Sequence, residues 1–356
     1  MESFFSSDYW TARERFRQSA HAIGADLESH SLSVQGPGEQ ELSIDVAIWE
    51  PSAAGKTILL SSGMHGVEGY FGSAVQWALL ERIRRGEVSL GNVRLVLVHA
   101  LNPYGFAWGR RTNEQNVDLN RNWLLPGETY RGAPPFYGQI YRWIHPAGRP
   151  GRMDFTWWRI VWAAVRWGRR ALLENLPVGQ YEFPQGLFFG GQGPTETHQI
   201  VREQLRRWVG RAAEVIHVDW HTGLGGWGRG KLLLDNQADS PEAQWFLERF
   251  GPQEVSAGDP GSKKIYMTRG AWGPWCQTQL ADRQYRFATA EFGTYGMART
   301  LTALVRENRA ALAWTNEDRR LRSFRTELHE VFSPNHPGWR RRVLEQAMKI
   351  CHLLLG

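Results

Sequence analysis

One stretch constrains the fold more than any other: a strand–helix–strand signal between residues 57 and 98. Thr57-Ile-Leu-Leu60 is a short, unbroken apolar run that stops at Ser61-Ser-Gly. A helix follows from about Tyr70 to Arg85, and Val93–Val98 is a second apolar run that breaks at Asn102-Pro103. Unbroken apolar strands must be covered on both faces. Two of them joined through a helix read as a right-handed parallel crossover. The expectation is an α/β chain whose sheet is sandwiched between helical layers.

Other segments extend that reading. Asp8 to about Ile23 has the pattern of an amphipathic helix, and Leu42–Ile48 alternates apolar and polar residues as a half-buried strand does. Strand patterns recur at Glu214–Val218, Lys231–Leu234 and Phe287–Glu291, with helices near Pro241–Phe250, Ala298–Asn308 and Trp339–Leu354. Residues from about 125 to 194 interrupt the rhythm, being rich in Pro, Gly, Trp and Tyr with one helix signal, Phe155–Trp167. A featureless loop of that length is unusual in a domain. It reads as an insertion with its own helix, forming a lid over one end of the sheet. The chain as a whole, residues 1–356, reads as one domain.

Charge and composition exclude several classes. Lys and Arg outnumber Asp and Glu by 42 to 36, but no run of five like charges appears, so nucleic-acid binding is not expected. No window of about 18 apolar residues suggests a membrane span. Two cysteines cannot build a disulfide framework. The N-terminal MESFFSSDYW lacks the apolar core of a secretion signal, so the expected location is cytoplasmic. Eighteen tryptophans are many for this length. Four of them alternate with arginine on the insertion helix. That helix reads mainly as a lid packed on the domain, with a binding surface for an anionic membrane or nucleic acid as the alternative.

The chemistry concentrates at four strand ends. His65 and Glu68, in Gly-Met-His-Gly-Val-Glu, follow the first apolar strand directly. An imidazole and a carboxylate at this spacing can supply two of the three protein ligands of a catalytic zinc. Asn102-Pro-Tyr-Gly and then Arg110-Arg111-Thr-Asn … Asp118-Leu-Asn120-Arg121-Asn122 follow the next strand. Clustered Asn and Arg donors suit a carboxylate or an oxyanion. Ile216-His217-Val-Asp219-Trp-His221-Thr-Gly ends a third strand. His217 and His221 share a face; His221 is nearer the end and the better third ligand, His217 the better core histidine, and Asp219 could orient a neighbour. Glu291 ends a fourth strand that is otherwise apolar, a costly position unless the carboxylate has a partner or a task.

In this order, His-x-x-Glu, Asn-Pro-x-Gly, Asp-Leu-Asn-Arg-Asn, Asp-x-His-Thr and Thr-x-Glu-x-Gly resemble the zinc carboxypeptidase superfamily. That superfamily spans the metallocarboxypeptidases and the aspartoacylase/succinylglutamate desuccinylase branch. The sequence is most similar to its uncharacterised bacterial branch, a domain of unknown function. The resemblance implies a three-layer αβα sandwich with a mixed, mostly parallel sheet of about eight strands and one zinc per chain. By motif, His65, Glu68 and His221 would hold the metal and Glu291 would be the base and proton shuttle. Asn120 and Arg121 would clasp a substrate carboxylate. The arginine that polarises the scissile carbonyl could be Arg110 or Arg111, with Arg111 the better fit. Tyr266 lies 25 residues before Glu291, where carboxypeptidases carry a tyrosine, but its surroundings match loosely.

The resemblance therefore implies a zinc-dependent hydrolase of an amide bond beside a free carboxylate, in a peptide or an N-acyl amino acid. Gly-Met-His-Gly-Val-Glu and Asp-Trp-His-Thr-Gly lean towards the deacylase branch, and Asn-Arg-Asn-Trp towards the peptidases. A small-molecule deacylase is the nearest alternative. A non-catalytic protein binding through the Trp/Arg surface is the alternative of another class. The Gly179–Gly191 stretch belongs to neither branch and reads equally as a pocket wall or as a packed loop.

Overall fold

A computed structural model describes residues 2–356 except 147, 152–153 and 259–267. Eight strands form one mixed sheet: β1 (Asp26–Gln35), β2 (Glu41–Trp49), β3 (Lys56–Ser62), β4 (Val93–His99), β5 (Glu214–Gly223), β6 (Gly230–Gln237), β7 (Val255–Gly258) and β8 (Gln284–Gly293). Their order is β1-β2-β4-β3-β5-β8-β6-β7. The centre, β4-β3-β5-β8, is parallel, while β1, β2 and β6 pair antiparallel with a neighbour. β4 is buried throughout, with the apolar run Leu95–Val98 at its centre and Arg94 donating to Trp208 O at 2.8 Å.

Helices cover both faces, making the αβα sandwich. α1 (Tyr9–Ala22) and α2 (Gly69–Arg84) lie in the first half of the chain, and α3 (Pro103–Trp108) follows β4. The insertion carries α4 (Tyr137–Ile144), α5 (Thr156–Trp167) and α6 (Arg169–Asn175), ahead of α7 (Glu196–Trp208). The rest are α8 (Pro241–Phe250), α9 (Trp272–Gln279), α10 (Met297–Ala313), α11 (Leu321–Phe332) and α12 (Pro337–Leu355). On one face α1, α2, α8 and α12 pack Phe16, Phe71, Val75, Phe246 and Val343 onto Ile58, Leu60, Ile216 and Val218. On the other, α7 and α9 pack Leu205, Trp208 and Trp275 onto Leu59, Val96 and Val215.

Local chemistry sets the boundaries. α8 begins at Pro241 behind Ser240, whose hydroxyl accepts from Ala243 N at 3.2 Å, and it stops at Gly251 in a positive-φ conformation. Asp8 caps α1 through Thr11 N at 2.8 Å.

Two sequence expectations need correction. The insertion has three helices rather than one, because α4 and α6 are too short to show a period. The tryptophans of α5 do not all pack on the domain: Trp157, Trp158 and Trp162 are exposed. Part of the chain's tryptophan content is core all the same, since Trp123, Trp208, Trp220, Trp272 and Trp339 are fully buried.

Candidate metal centre

Sheet register assembles the centre. β3 and β5 run parallel with Ser61 opposite Asp219, and β5 and β8 run parallel with His221 opposite Glu291. Both alignments come at carboxyl ends, where an open α/β sheet leaves a crevice. His65 enters three residues beyond β3, and one tight turn, Gly66–Glu68, returns Glu68 beneath it. That turn is fixed from outside: Gly66 N donates to Arg111 O at 3.1 Å and Val67 N to Arg110 O at 2.8 Å. Gly66 has to be glycine, because a Cβ there would lie 2.1 Å from the backbone carbon of Gly105.

His65, Glu68 and His221 are all buried and each offers a ligand atom within 4.8 Å of the others. His65 Nδ1 lies 2.9 Å from Glu68 Oε1, and His221 Nδ1 lies 3.0 Å from Glu68 Oε2. Thr222 N also donates to Oε2, at 3.0 Å. The outer ring nitrogens each meet a second carboxylate, His65 Nε2 at 3.1 Å from Asp118 Oδ1 and His221 Nε2 at 2.6 Å from Asp219 Oδ2. Imidazole backed by carboxylate is the usual outer arrangement of histidine ligands.

The donor chemistry points the same way. Two imidazoles with a carboxylate are a zinc-type donor set, and a divalent cation there would face the buried carboxylates of Glu68, Asp118 and Asp219. The residues fit the ion.

Titration behaviour differs sharply within the group. Burial pushes the Glu68 carboxyl up, but His65 and His221 outweigh it and hold Glu68 below the ordinary range. Burial opposes charge on His221 too, yet Asp219 and Glu68 keep its pKa well above the usual value. Burial also raises Asp118, and Arg111 with His65 and Arg121 overcomes it. Glu291 goes the other way: burial first, then the charge of Glu68, pushes it up to about 7. Its Oε1 accepts one backbone bond, from Leu224 N at 2.8 Å.

The arginines take separate positions. Arg111 reaches the metal group, with Nε 3.0 Å from Asp118 Oδ2, Nη1 3.3 Å from Glu68 Oε1 and Nη2 2.7 Å from His65 Nε2. Arg110 turns away, pairing with Glu307 on α10 at 2.9 Å and donating to Asn116 Oδ1 at 3.1 Å. Arg121 donates to Pro177 O through Nε (2.8 Å) and Nη2 (2.6 Å), and through Nη1 to Asn120 O (2.6 Å). Asn120 Oδ1 accepts from Trp272 N at 3.1 Å. Tyr266 lies outside the described residues. His217 sits mid-strand, between Ser61 Oγ at 2.9 Å and Tyr285 OH at 2.7 Å.

Two contributors were not singled out as site residues from the sequence. Asp118 caps its own turn by accepting from Asn120 N, and it also ties His65 to Arg111. An acid framed by three arginines in the motif loop was the available signal. Phe188 is the other. It holds a positive φ of 55°, and its ring lies 5.3 Å from the Arg111 guanidinium and 5.7 Å from that of Arg121. With Leu187, Thr112 and Leu304 it lines a small pocket beside Arg111. The Gly179–Gly191 stretch thus supplies a wall, while its Phe189 packs into the core.

No curated protein matches the sequence. The structure is similar to carboxypeptidase A from Helicoverpa armigera, at 11% identity and a TM-score of 0.49, over 97% of this chain and 74% of that one. It is similar to murein-tripeptide amidase MpaA from Escherichia coli O157, at 17% identity and a TM-score of 0.38, over 84% and 97%. A succinylglutamate desuccinylase from Silicibacter sp. TM1040 matches at 13% identity and a TM-score of 0.39, over 80% and 66%. The model of one protein family of unknown function, DUF2817, runs from residue 5 to residue 346 and takes in every strand end described above: the chain belongs to that family.

Proposed function

We propose that the protein is a zinc-dependent hydrolase that cleaves an amide bond next to a free carboxylate, in a peptide or an N-acyl amino acid. The observation that carries this reading is the pairing of two unlike groups. One is a buried His65/Glu68/His221 donor set, and the other is a buried carboxylate, Glu291, which the register of β5 and β8 sets beside His221. A carboxylate so placed can serve as a general base. The motifs' resemblance to the zinc carboxypeptidase superfamily supports the same assignment.

His65, Glu68 and His221 would hold the ion, which when bound supplies Lewis acidity towards a carbonyl oxygen and makes a water more acidic. Glu291 takes the proton of the attacking water on its carboxylate and delivers it to the departing amine. Arg111 offers its guanidinium to the oxygen on which negative charge develops. Asn120 and Arg121 position the substrate carboxylate, sharing the Arg121 fork with Pro177 O, so the insertion would form part of the pocket floor. Positioning of this kind is itself a large rate factor.

The test has two arms. Protein purified without chelator should carry one zinc per chain, and Glu291→Gln should keep that zinc while hydrolysis of N-acyl amino acids and short peptides falls about 100-fold or more. Amidating the substrate carboxylate should lower kcat/KM by about tenfold or more, and Arg121→Ala should erase the difference between acid and amide. Full turnover in Glu291→Gln would end the base assignment. Equal cleavage of acid and amide by the wild type would end the carboxylate requirement.

A further inference from the structure

α5 is apolar nearly all the way round, and only one of its sides is covered. Thr156, Ile160 and Ala163 are buried, and Ile160 and Ala163 pack in one cluster with Ile140, Leu172 and Leu304. Phe155, Trp158, Trp162 and Val165, spaced three, four and three residues apart, form a stripe on roughly the opposite side. They are 64%, 62%, 45% and 79% exposed, and Trp157 beside them is 45% exposed. Single exposed apolar residues are ordinary, but a contiguous aromatic stripe marks a contact surface.

We infer that this stripe docks the protein onto an anionic membrane surface. Tryptophan with arginine on a short exposed helix is the composition that settles at a lipid headgroup boundary. Twelve residues make a helix of about 18 Å, which can lie in the interface and cannot span it. Charge selects the occupant. Between Phe155 and Asn175 there are four arginines and a single acid, Glu174, which is paired with Arg170 at 2.6 Å. Arg166, Arg169 and Arg170 are exposed at the carboxyl end of the stripe. A second copy would bring the same excess of arginine to the contact. An anionic lipid surface meets them with the opposite charge. The surface is independent of the hydrolase reading, since none of these side chains belongs to the metal centre.

The full chain should co-sediment with phosphatidylcholine vesicles containing about one-third phosphatidylserine, and not with phosphatidylcholine alone, and added salt should release it. Trp157→Ala with Trp158→Ala removes a ring pair in mutual contact and leaves the neighbouring stack of Trp162 on Trp143 in place. That variant should bind anionic vesicles about tenfold or more weaker, as should Arg166→Glu with Arg169→Glu. An unchanged thermal transition and zinc content in both variants would show that the fold survives. Failure to pellet with anionic vesicles, or variants that pellet like wild type, would overturn the inference. So would a lipid-free dimer, or binding to single-stranded RNA without vesicle binding, abolished by the same substitutions.

Discussion

Strand β5 carries two buried histidines four residues apart, and the chain treats them as different chemical groups. His217 is packed against Trp272 and Phe287, with neutral hydroxyls on its nitrogens, and burial pushes it down to about 4. His221 meets carboxylates on both nitrogens, and Asp219 with Glu68 raises it well above the usual value against the same burial. Residue type and depth are alike, so the neighbours decide. Mid-strand neighbours come from the sheet and its covering helix. The strand-end neighbours are Glu68, from the turn after β3, and Asp219, two residues back on β5 itself.

The sharpest way to break the contrast is to delete each ring in turn. His221→Ala should abolish stoichiometric zinc, whereas His217→Phe should retain one zinc per folded chain by metal analysis. Zinc lost only from the His217 variant would reverse the two roles.

Acid should separate them next. His99 and His217 both lie at about 4 when folded, against an ordinary 6.5. Between those values the unfolded chain binds protons that the folded chain refuses, so stability rises with pH across that window and is lost as pH falls through it. His217 alone accounts for about 3 kcal/mol at the acid limit. Denaturant titrations from pH 6.5 to 4 should show the loss, and His217→Phe should flatten the slope by about one proton.

A smaller effect tests the link between the two. Ser61 Oγ donates to Asp219 Oδ1 at 2.6 Å and also touches His217, so Asp219 stands between the two rings. Asp219→Asn should weaken zinc binding about 10- to 100-fold in competition with a chelator. An unchanged affinity would mean that the carboxylate does not tune His221.

Smallest of all, Tyr285→Phe removes the hydroxyl at His217 Nδ1. The expected loss is about 1 kcal/mol of stability with no change in zinc affinity. A loss of metal there would join the regions the contrast keeps apart.

How much of this was legible depends on what each residue's signal is made of. β3, β4 and α8 were plain because unbroken apolar runs and the Ser240-Pro241 … Gly251 punctuation act locally. β1 was not read, since it is an edge strand with no buried residue in its length, and hydrogen bonding to β2 rather than hydrophobicity makes it a strand. In the site, His65, Glu68 and His221 could be picked out because ligand type and strand-end position are sequence properties. The attachment of Arg121 to Pro177 was hidden, because a backbone carbonyl in a long insertion leaves no trace in residue type. The same holds for Phe188, whose aromatic ring is ordinary and whose left-handed backbone is not.

The glycine at position 66 has a wider bearing. With no room for even a methyl group against Gly105, and with Gly66 N and Val67 N both bonded to the arginine loop, the ligand turn and the loop behave as one casting. Lengthening or reshaping either would carry the other with it. Variation in what such a site accepts must therefore come from elsewhere, and the insertion, which touches the casting at Arg121 and through Phe188, is the part of the chain free to supply it.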